Sequence, residues 1–187
     1  MDASEKVRRE AIKGRQLRVY AFGGDGTLAE CVHGAAGFSN AAVTQYPCGT
    51  GNDFLRIFGE KIKIFRNINA LVHGETHPMD IIDVNGRKCM NICSVGIDAR
   101  VGTDVHKYSR LPFISGTGAY IMSLVVNFIK GLNQKLTIST DQGEHNGVFA
   151  LLCVCNGRFY GGGLNPTITA LPDDGLLDCL IAGKKSR

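Results

Sequence analysis

Gly23-Gly24-Asp25-Gly26-Thr27 is the stretch on which the fold of this chain turns. Leu17-Arg18-Val19-Tyr20-Ala21-Phe22 before it reads as a short strand. From Thr27 to Gly34 the sequence (TLAECVHG) reads as a helix with Leu28, Cys31 and Val32 on one side. A helix N-terminus carries unpaired N–H groups and a partial positive charge, so it attracts phosphate. Glycines let the backbone curl closely around such an anion. Thr27 adds a hydroxyl donor, and Asp25 a carboxylate able to hold Mg²⁺ or to position a reacting hydroxyl. A tight strand-to-helix turn with no ligand is the competing reading, and five specified residues in this context weigh against it.

The arrangement repeats downstream. Ala42 to Tyr46 reads as a second strand that ends at Pro47, and Cys48-Gly49-Thr50-Gly51-Asn52-Asp53-Phe54 follows it. Asn52 to Phe58 is expected to be a short helix capped by Asn52 or Asp53. Residues 3 to 15 are charged and helix-favouring, which completes an alternation of helices and strands expected for an α/β layer with parallel strands. Two phosphate-type turns at the ends of neighbouring parallel strands form one crevice, where open α/β sheets bind ligands. The P-loop pattern GxxxxGK[ST] is absent.

Beyond His77 the pattern changes. Met79 to Val84 and Lys88 to Val95 flank Asn85-Gly86, the favoured dipeptide of a tight hairpin turn. Leu136 to Thr140 and Val148 to Cys155 form a second expected pair around residues 141 to 147, and Leu176 to Ala182 is one more strand. An apolar helix is expected over Gly118 to Leu132, after a shorter segment from Val105 to Leu111. A boundary near residue 78 divides residues 1–78, an α/β half, from residues 79–187, a mostly antiparallel β half.

The whole composition is that of a globular protein: 187 residues with 44% hydrophobic and 20% charged side chains. The net charge of +4 is spread out, with no basic stripe interleaved with aromatics, so nucleic acid is not expected as a partner. The longest apolar stretch, around Tyr120 to Ile129, falls well short of the roughly 20 residues of a membrane span. With a polar N-terminus this suggests a cytoplasmic protein. The seven cysteines lack CxxC spacing and read as buried free thiols of a reducing compartment. His33, His73, His77, His106 and His145 show no metal spacing. Arg56 and Arg158 are candidate phosphate contacts or plain surface arginines, and Phe113, Tyr120, Met122 and Phe128 are candidate linings of an acyl path or plain core.

GGDGT followed by GTGND resembles the diacylglycerol kinase catalytic domain, in the subfamily of small soluble bacterial lipid kinases. Gly96-Ile97-Asp98-Ala99, Asn156 to Gly163 (NGRFYGGG) and Pro172 to Asp178 (PDDGLLD) continue the match in order, over about Leu17 to Ile181. NAD kinases and phosphofructokinases share a GGDG-type turn, and the later motifs favour the lipid kinases. The resemblance implies a nucleotide-binding α/β half followed by an antiparallel β-sandwich-like half. It implies ATP-dependent transfer of the γ-phosphoryl group to the hydroxyl of diacylglycerol or a related lipid alcohol. ATP would be contacted by Gly23, Gly24, Asp25, Gly26, Thr27, Leu28, Ala29 and Thr50. Ala29 stands where relatives often carry Asn. Asp25 would join an Asp–water–Mg²⁺ network, and a structural Mg²⁺ would be held by the Asp174 side chain with the Leu171 and Leu176 carbonyls. Peripheral contact with the inner face of the membrane also follows from a lipid substrate.

Relatives begin with a further strand and an Asn-Pro-type loop, and continue to an Asp-Gly-Glu segment that supplies the general base. Neither occurs in this sequence, so the chain is expected to be cut at both ends and to turn over weakly or not at all. A truncated nucleotide-binding protein without enzymatic activity, or an NAD kinase-type enzyme, is the alternative. Exposed strand edges at the cuts would favour self-association as a homodimer.

Overall fold

The computed structural model describes residues 2–96, 104 and 133–183. The chain divides into two compact units, Met1–Cys93 with Cys155–Asp178, and Ser94–Val154 with Cys179–Arg187.

In the first unit, helix α1 (Ala3–Ala11) starts where the Asp2 carboxylate accepts a hydrogen bond from Glu5 N at 2.8 Å. Glu5 in its first turn and Arg8 and Arg9 in its last complement the helix dipole. Strands β1 (Leu17–Gly23) and β2 (Ala41–Pro47) are parallel, in register from Leu17 opposite Ala41 to Gly23 opposite Pro47. Period-two alternation turns Leu17, Val19, Ala21, Ala41 and Val43 towards the core. Helix α2 (Asp25–Ala35) supplies Leu28, Cys31, Val32 and Ala35 to the same core. The two helices pack closely at Gly34, where a Cβ would lie 2.3 Å from the Ser4 carbonyl oxygen. The expected α/β layer with parallel strands is therefore present.

The helix expected over Asn52 to Phe58 is instead a 3-10 segment, Phe54–Arg66, that runs across a kink at Gly59 (φ 54°). Neither expected cap operates. Asn52 sits at φ 48° and its amide bonds Gln45 and Gly49, while the Asp53 carboxylate is bound elsewhere. Helix α3 (Ile68–His73) follows and is capped by Asn67, whose side-chain oxygen accepts from Ala70 N at 3.2 Å.

Strands β3 (Ile82–Val84) and β4 (Arg87–Cys89) form the expected hairpin, with Asn85 and Gly86 at φ 51° and 88°. Two successive positive φ values are what the twist-matched two-residue turn requires. The expected second strand is broken: Met90 turns into the core, and β5 (Ile92–Gly96) begins beyond it. Strands β6 (Gln134–Thr140) and β7 (Gly143–Cys155) pair antiparallel, from Gln134 opposite Phe149 to Thr140 opposite Gly143. The expected loop over 141 to 147 shrinks to Asp141-Gln142. Its remainder, rich in turn-favouring Gly and Asn, is drawn into the ladder by pairing with β6. The sheet order is β5-β7-β6, with β8 (Asp178–Gly183) also on β7. β8 starts later than expected because Leu176 N donates to the Asp174 carboxylate at 3.0 Å.

The expected helices over Val105–Leu111 and Gly118–Leu132, and the acyl-path candidates Phe113, Tyr120, Met122 and Phe128, lie outside the described residues. Among the described residues no helix is long and apolar enough to cross a membrane. The cysteines are not uniformly buried: Cys31, Cys153 and Cys155 are, Cys89 and Cys93 are half-buried, and Cys48 and Cys179 are exposed. Burial pushes the Cys31 and Cys89 thiols above the ordinary thiol range.

Candidate functional site

The β1–α2 and β2–3-10 turns meet backbone to backbone. A Cβ on Gly49 would lie 2.4 Å from Gly24 Cα, and one on Gly24 would lie 3.2 Å from Gly49 Cα. Only glycine lets the two turns approach this far. Thr27 leans back over the first turn, so a Cβ on Gly23 would meet its hydroxyl oxygen at 2.3 Å.

At the start of α2 the first intrahelical hydrogen bond is Leu28 N to Gly24 O at 3.1 Å. The preceding N–H groups, of Asp25, Gly26 and Thr27, therefore donate to no group among the described residues. Gly24 provides no side-chain cap. Three unpaired N–H groups at a helix N-terminus, lined by glycine, are a geometry that accepts an anion. Of the expected contacts, Gly26 and Thr50 are exposed and Gly23, Gly24, Asp25, Thr27 and Ala29 half-buried. Leu28 is 3% exposed and its N–H is spent inside the helix, so it serves the core.

Asp25 has a role that its position in the motif did not reveal. One carboxylate oxygen accepts from Asp53 N at 2.7 Å and from Phe54 N at 3.4 Å. It thus caps the 3-10 helix from 28 residues away. Its other oxygen faces the second turn, where a Cβ on Gly51 would lie 2.8 Å from it. Asp25→Ala is expected to cost about 1 kcal/mol of stability, the usual value of a lost cap, and Asp25→Asn to recover most of it. Urea unfolding of both variants checks this, and an alanine variant as stable as wild type would refute the capping role.

Asp53, freed from capping, ties the second turn to the distant NGRFYGGG segment. One oxygen takes Arg56 Nε at 3.0 Å and the other takes Gly162 N at 2.8 Å. Arg56 also donates to Gly51 O at 3.3 Å, and its guanidinium lies under Gly163, whose Cβ would come within 3.2 Å. Arg56 is therefore a brace of the turn. Arg158, the other candidate, donates to Ala170 O at 2.7 Å.

The Pro172 to Leu176 loop is held from outside by Asp80. Asp80 N donates to Pro172 O at 2.7 Å, and its carboxylate accepts from Gly175 N at 2.7 Å. Asn156, fully buried, donates to Asp80 O at 2.8 Å and Met90 O at 2.9 Å, which fixes Asp80 in turn. Asp174 and Leu176 lie on this loop and Leu171 just before it, all three exposed. One carboxylate and two backbone carbonyls are an oxygen-only donor set, the kind a hard divalent cation takes. Among the described residues no three His, Cys, Asp or Glu side chains converge as a metal cluster. His33 and His73 serve local packing, His33 accepting from Lys88 N at 3.2 Å and His73 bonding Asn69 O at 2.9 Å. Asp53, Asp80 and Asn156 thus shape the site in ways that sequence reading missed, having offered Asp53 only as a helix cap and Asn156 only as part of a motif.

Comparison with known proteins gives the family of this chain. Residues 2–84 match the family model of the diacylglycerol kinase catalytic domain, and residues 91–187 match the YegS C-terminal NAD kinase beta sandwich-like domain. A Shewanella frigidimarina protein named "Probable lipid kinase YegS-like" is 33% identical over 179 residues, covering 92% of this chain. A Pseudomonas aeruginosa protein of the same name is 30% identical over 179 residues, covering 95%. A solved Bacillus anthracis structure, described as a "putative diacylglycerol kinase", superposes with a TM-score of 0.71 at 26% identity over 97% of this chain. The chain spans 56% and 58% of the two curated relatives and 60% of the solved chain. On the motifs, the fold and these matches together, the chain belongs to the bacterial diacylglycerol kinase and YegS-like lipid kinase family.

Proposed function

We propose that the paired glycine turns bind the phosphates of ATP, as part of a kinase that transfers the γ-phosphoryl group to the hydroxyl of diacylglycerol or a related lipid alcohol. The observation that carries this reading is the row of unpaired N–H groups at Asp25, Gly26 and Thr27, facing a second turn that touches Gly24. Gly23, Gly24, Gly26 and Thr27 supply backbone and hydroxyl donors, with Ala29 and Thr50 beside them. Leu28 enters through the backbone it holds in place. Mg²⁺ supplies charge neutralisation of the phosphates in such transfers. Asp174 with the Leu171 and Leu176 carbonyls is the set we assign to a structural Mg²⁺, and Asp25 is the carboxylate within the first phosphate turn.

The same proposal includes residues 1–78 as the nucleotide-binding part and a cytoplasmic protein that contacts the inner membrane surface. It also includes assembly as a homodimer. An NAD kinase-type activity and a non-enzymatic role are not favoured by the family match.

Transfer of labelled γ-phosphate from ATP to diacylglycerol in mixed micelles with Mg²⁺, beside an Asp25→Ala control, tests the reading. The protein is expected to bind ATP and to give a labelled lipid phosphate that is lost in the Asp25→Ala control. Labelled product that persists in the control would overturn the part given to Asp25, and absence of ATP binding would overturn the site itself.

A further inference from the structure

Gln45 lies in β2, where alternation alone would place an apolar side chain against the core, and it is 1% exposed. Its Nε2 donates to Gly23 O at 3.0 Å and to Asn52 Oδ1 at 3.1 Å. Asn52 Nδ2 passes the connection on to Gly49 O at 2.7 Å. Gly23 O also accepts from Cys48 N at 3.1 Å. One buried amide thus joins the carbonyl that opens the first glycine turn to the side chain that shapes the second.

Gln45 Oε1 is buried and accepts no hydrogen bond. An isolated buried acceptor is unfavourable, so a residue chosen for packing alone would be Leu or Met. Both amide protons are committed to the two turns, and nothing else in the side chain's polar group holds it. Rotating the amide would aim its oxygen at Gly23 O, which is itself an acceptor. The orientation is therefore set by the turns it connects.

We infer that Gln45 is a positioning residue, a buried amide clamp that fixes the spacing of the two phosphate turns without touching the nucleotide. This rests on the proposed nucleotide reading. A site built from backbone donors gains from donors held in place before the ligand arrives. The clamp sets that spacing from below, while the Gly24–Gly49 contact sets how closely the turns approach.

The test starts with the unaltered chain, by NMR. The Gln45 side-chain amide protons are expected to exchange with solvent at least 10-fold more slowly than those of exposed glutamines. Free-amide exchange would overturn the clamp, whether or not any variant folds. Gln45→Met then keeps length and apolar volume and removes both donors. Without nucleotide it is expected to speed backbone amide exchange at Gly24–Thr27 and Gly49–Asp53 about 10-fold, leaving Cys31–Ala35 unchanged. ATP affinity is expected to fall about 10-fold and AMP affinity less than 2-fold, because only the longer phosphate chain needs both turns. Equal losses for the two nucleotides would mean general loosening and overturn the positioning role. If the exchange results hold and wild type binds no ATP, the clamp stands and the nucleotide reading fails.

Discussion

Gly49→Ala is expected to abolish ATP binding and to lower the stability of the first unit by about 3 kcal/mol, the upper end of what overpacking costs. The new methyl group would lie 2.4 Å from Gly24 Cα, 3.0 Å from Gly24 N and 3.2 Å from the Asn52 side-chain oxygen. Two of these atoms are backbone, so no rotamer change relieves the clash. The turns have to separate, and the unpaired N–H groups of α2 then no longer face the second turn. Gly24→Ala is the matched control. Its methyl group would meet Gly49 Cα at 3.2 Å, a contact that a shift of a few tenths of an ångström accommodates. Urea midpoints for both variants, with ATP titrations followed by calorimetry, decide the matter. Equal effects at the two positions would mean that the turns are not in fixed contact.

Asp53→Ala is expected to cost about 2 kcal/mol, within the range for hydrogen bonds to a charged group, and to release the Tyr160–Gly163 segment. Asp53 is 6% exposed, and its carboxylate is shared between Arg56 Nε and Gly162 N. Its removal leaves Gly162, at φ 87°, without the acceptor that holds it against the second turn. Arg56 is less affected, since its side chain is 39% exposed and water can replace the partner. Faster amide exchange at Gly162, together with a lower unfolding midpoint, is the signature. A variant with the lower midpoint and an unchanged Gly162 amide would assign the stability to Arg56 instead.

The parts of this structure that could be read from sequence are those set by neighbouring residues. Two strands running into glycine-rich turns, the helix that follows the first and the Asn85-Gly86 turn are all set over a few positions, and each of these formed. The unread parts depend on partners far along the chain. Asp53 looked like a helix cap because caps are local, yet the cap of its helix is Asp25 and its own partner is Gly162, 109 residues away. Gln45 looked like one more residue of a strand, and nothing near it announces the Gly23 carbonyl 22 positions earlier. Asp80 drew no notice because its loop partner, Gly175, lies 95 residues on. The polar run of β7 gave a turn signal that pairing with β6 overrode. Glycines mark where the site is, and long-range hydrogen bonds decide what each acidic residue does there.

The first unit is made of two stretches of chain, Met1–Cys93 and Cys155–Asp178. On the ribosome these are separated in time. At roughly 5–20 residues per second, about 5 to 20 seconds pass between the emergence of Asp53 and that of Gly162, its partner 109 positions later. For that interval the nascent chain presents a buried-type carboxylate, a half-built turn and an unclosed loop. A truncated transcript or a stalled ribosome before residue 162 would leave this part permanently unfinished, however intact GGDGT and GTGND are. The glycine turns are made early, and the segment that fastens them is made late.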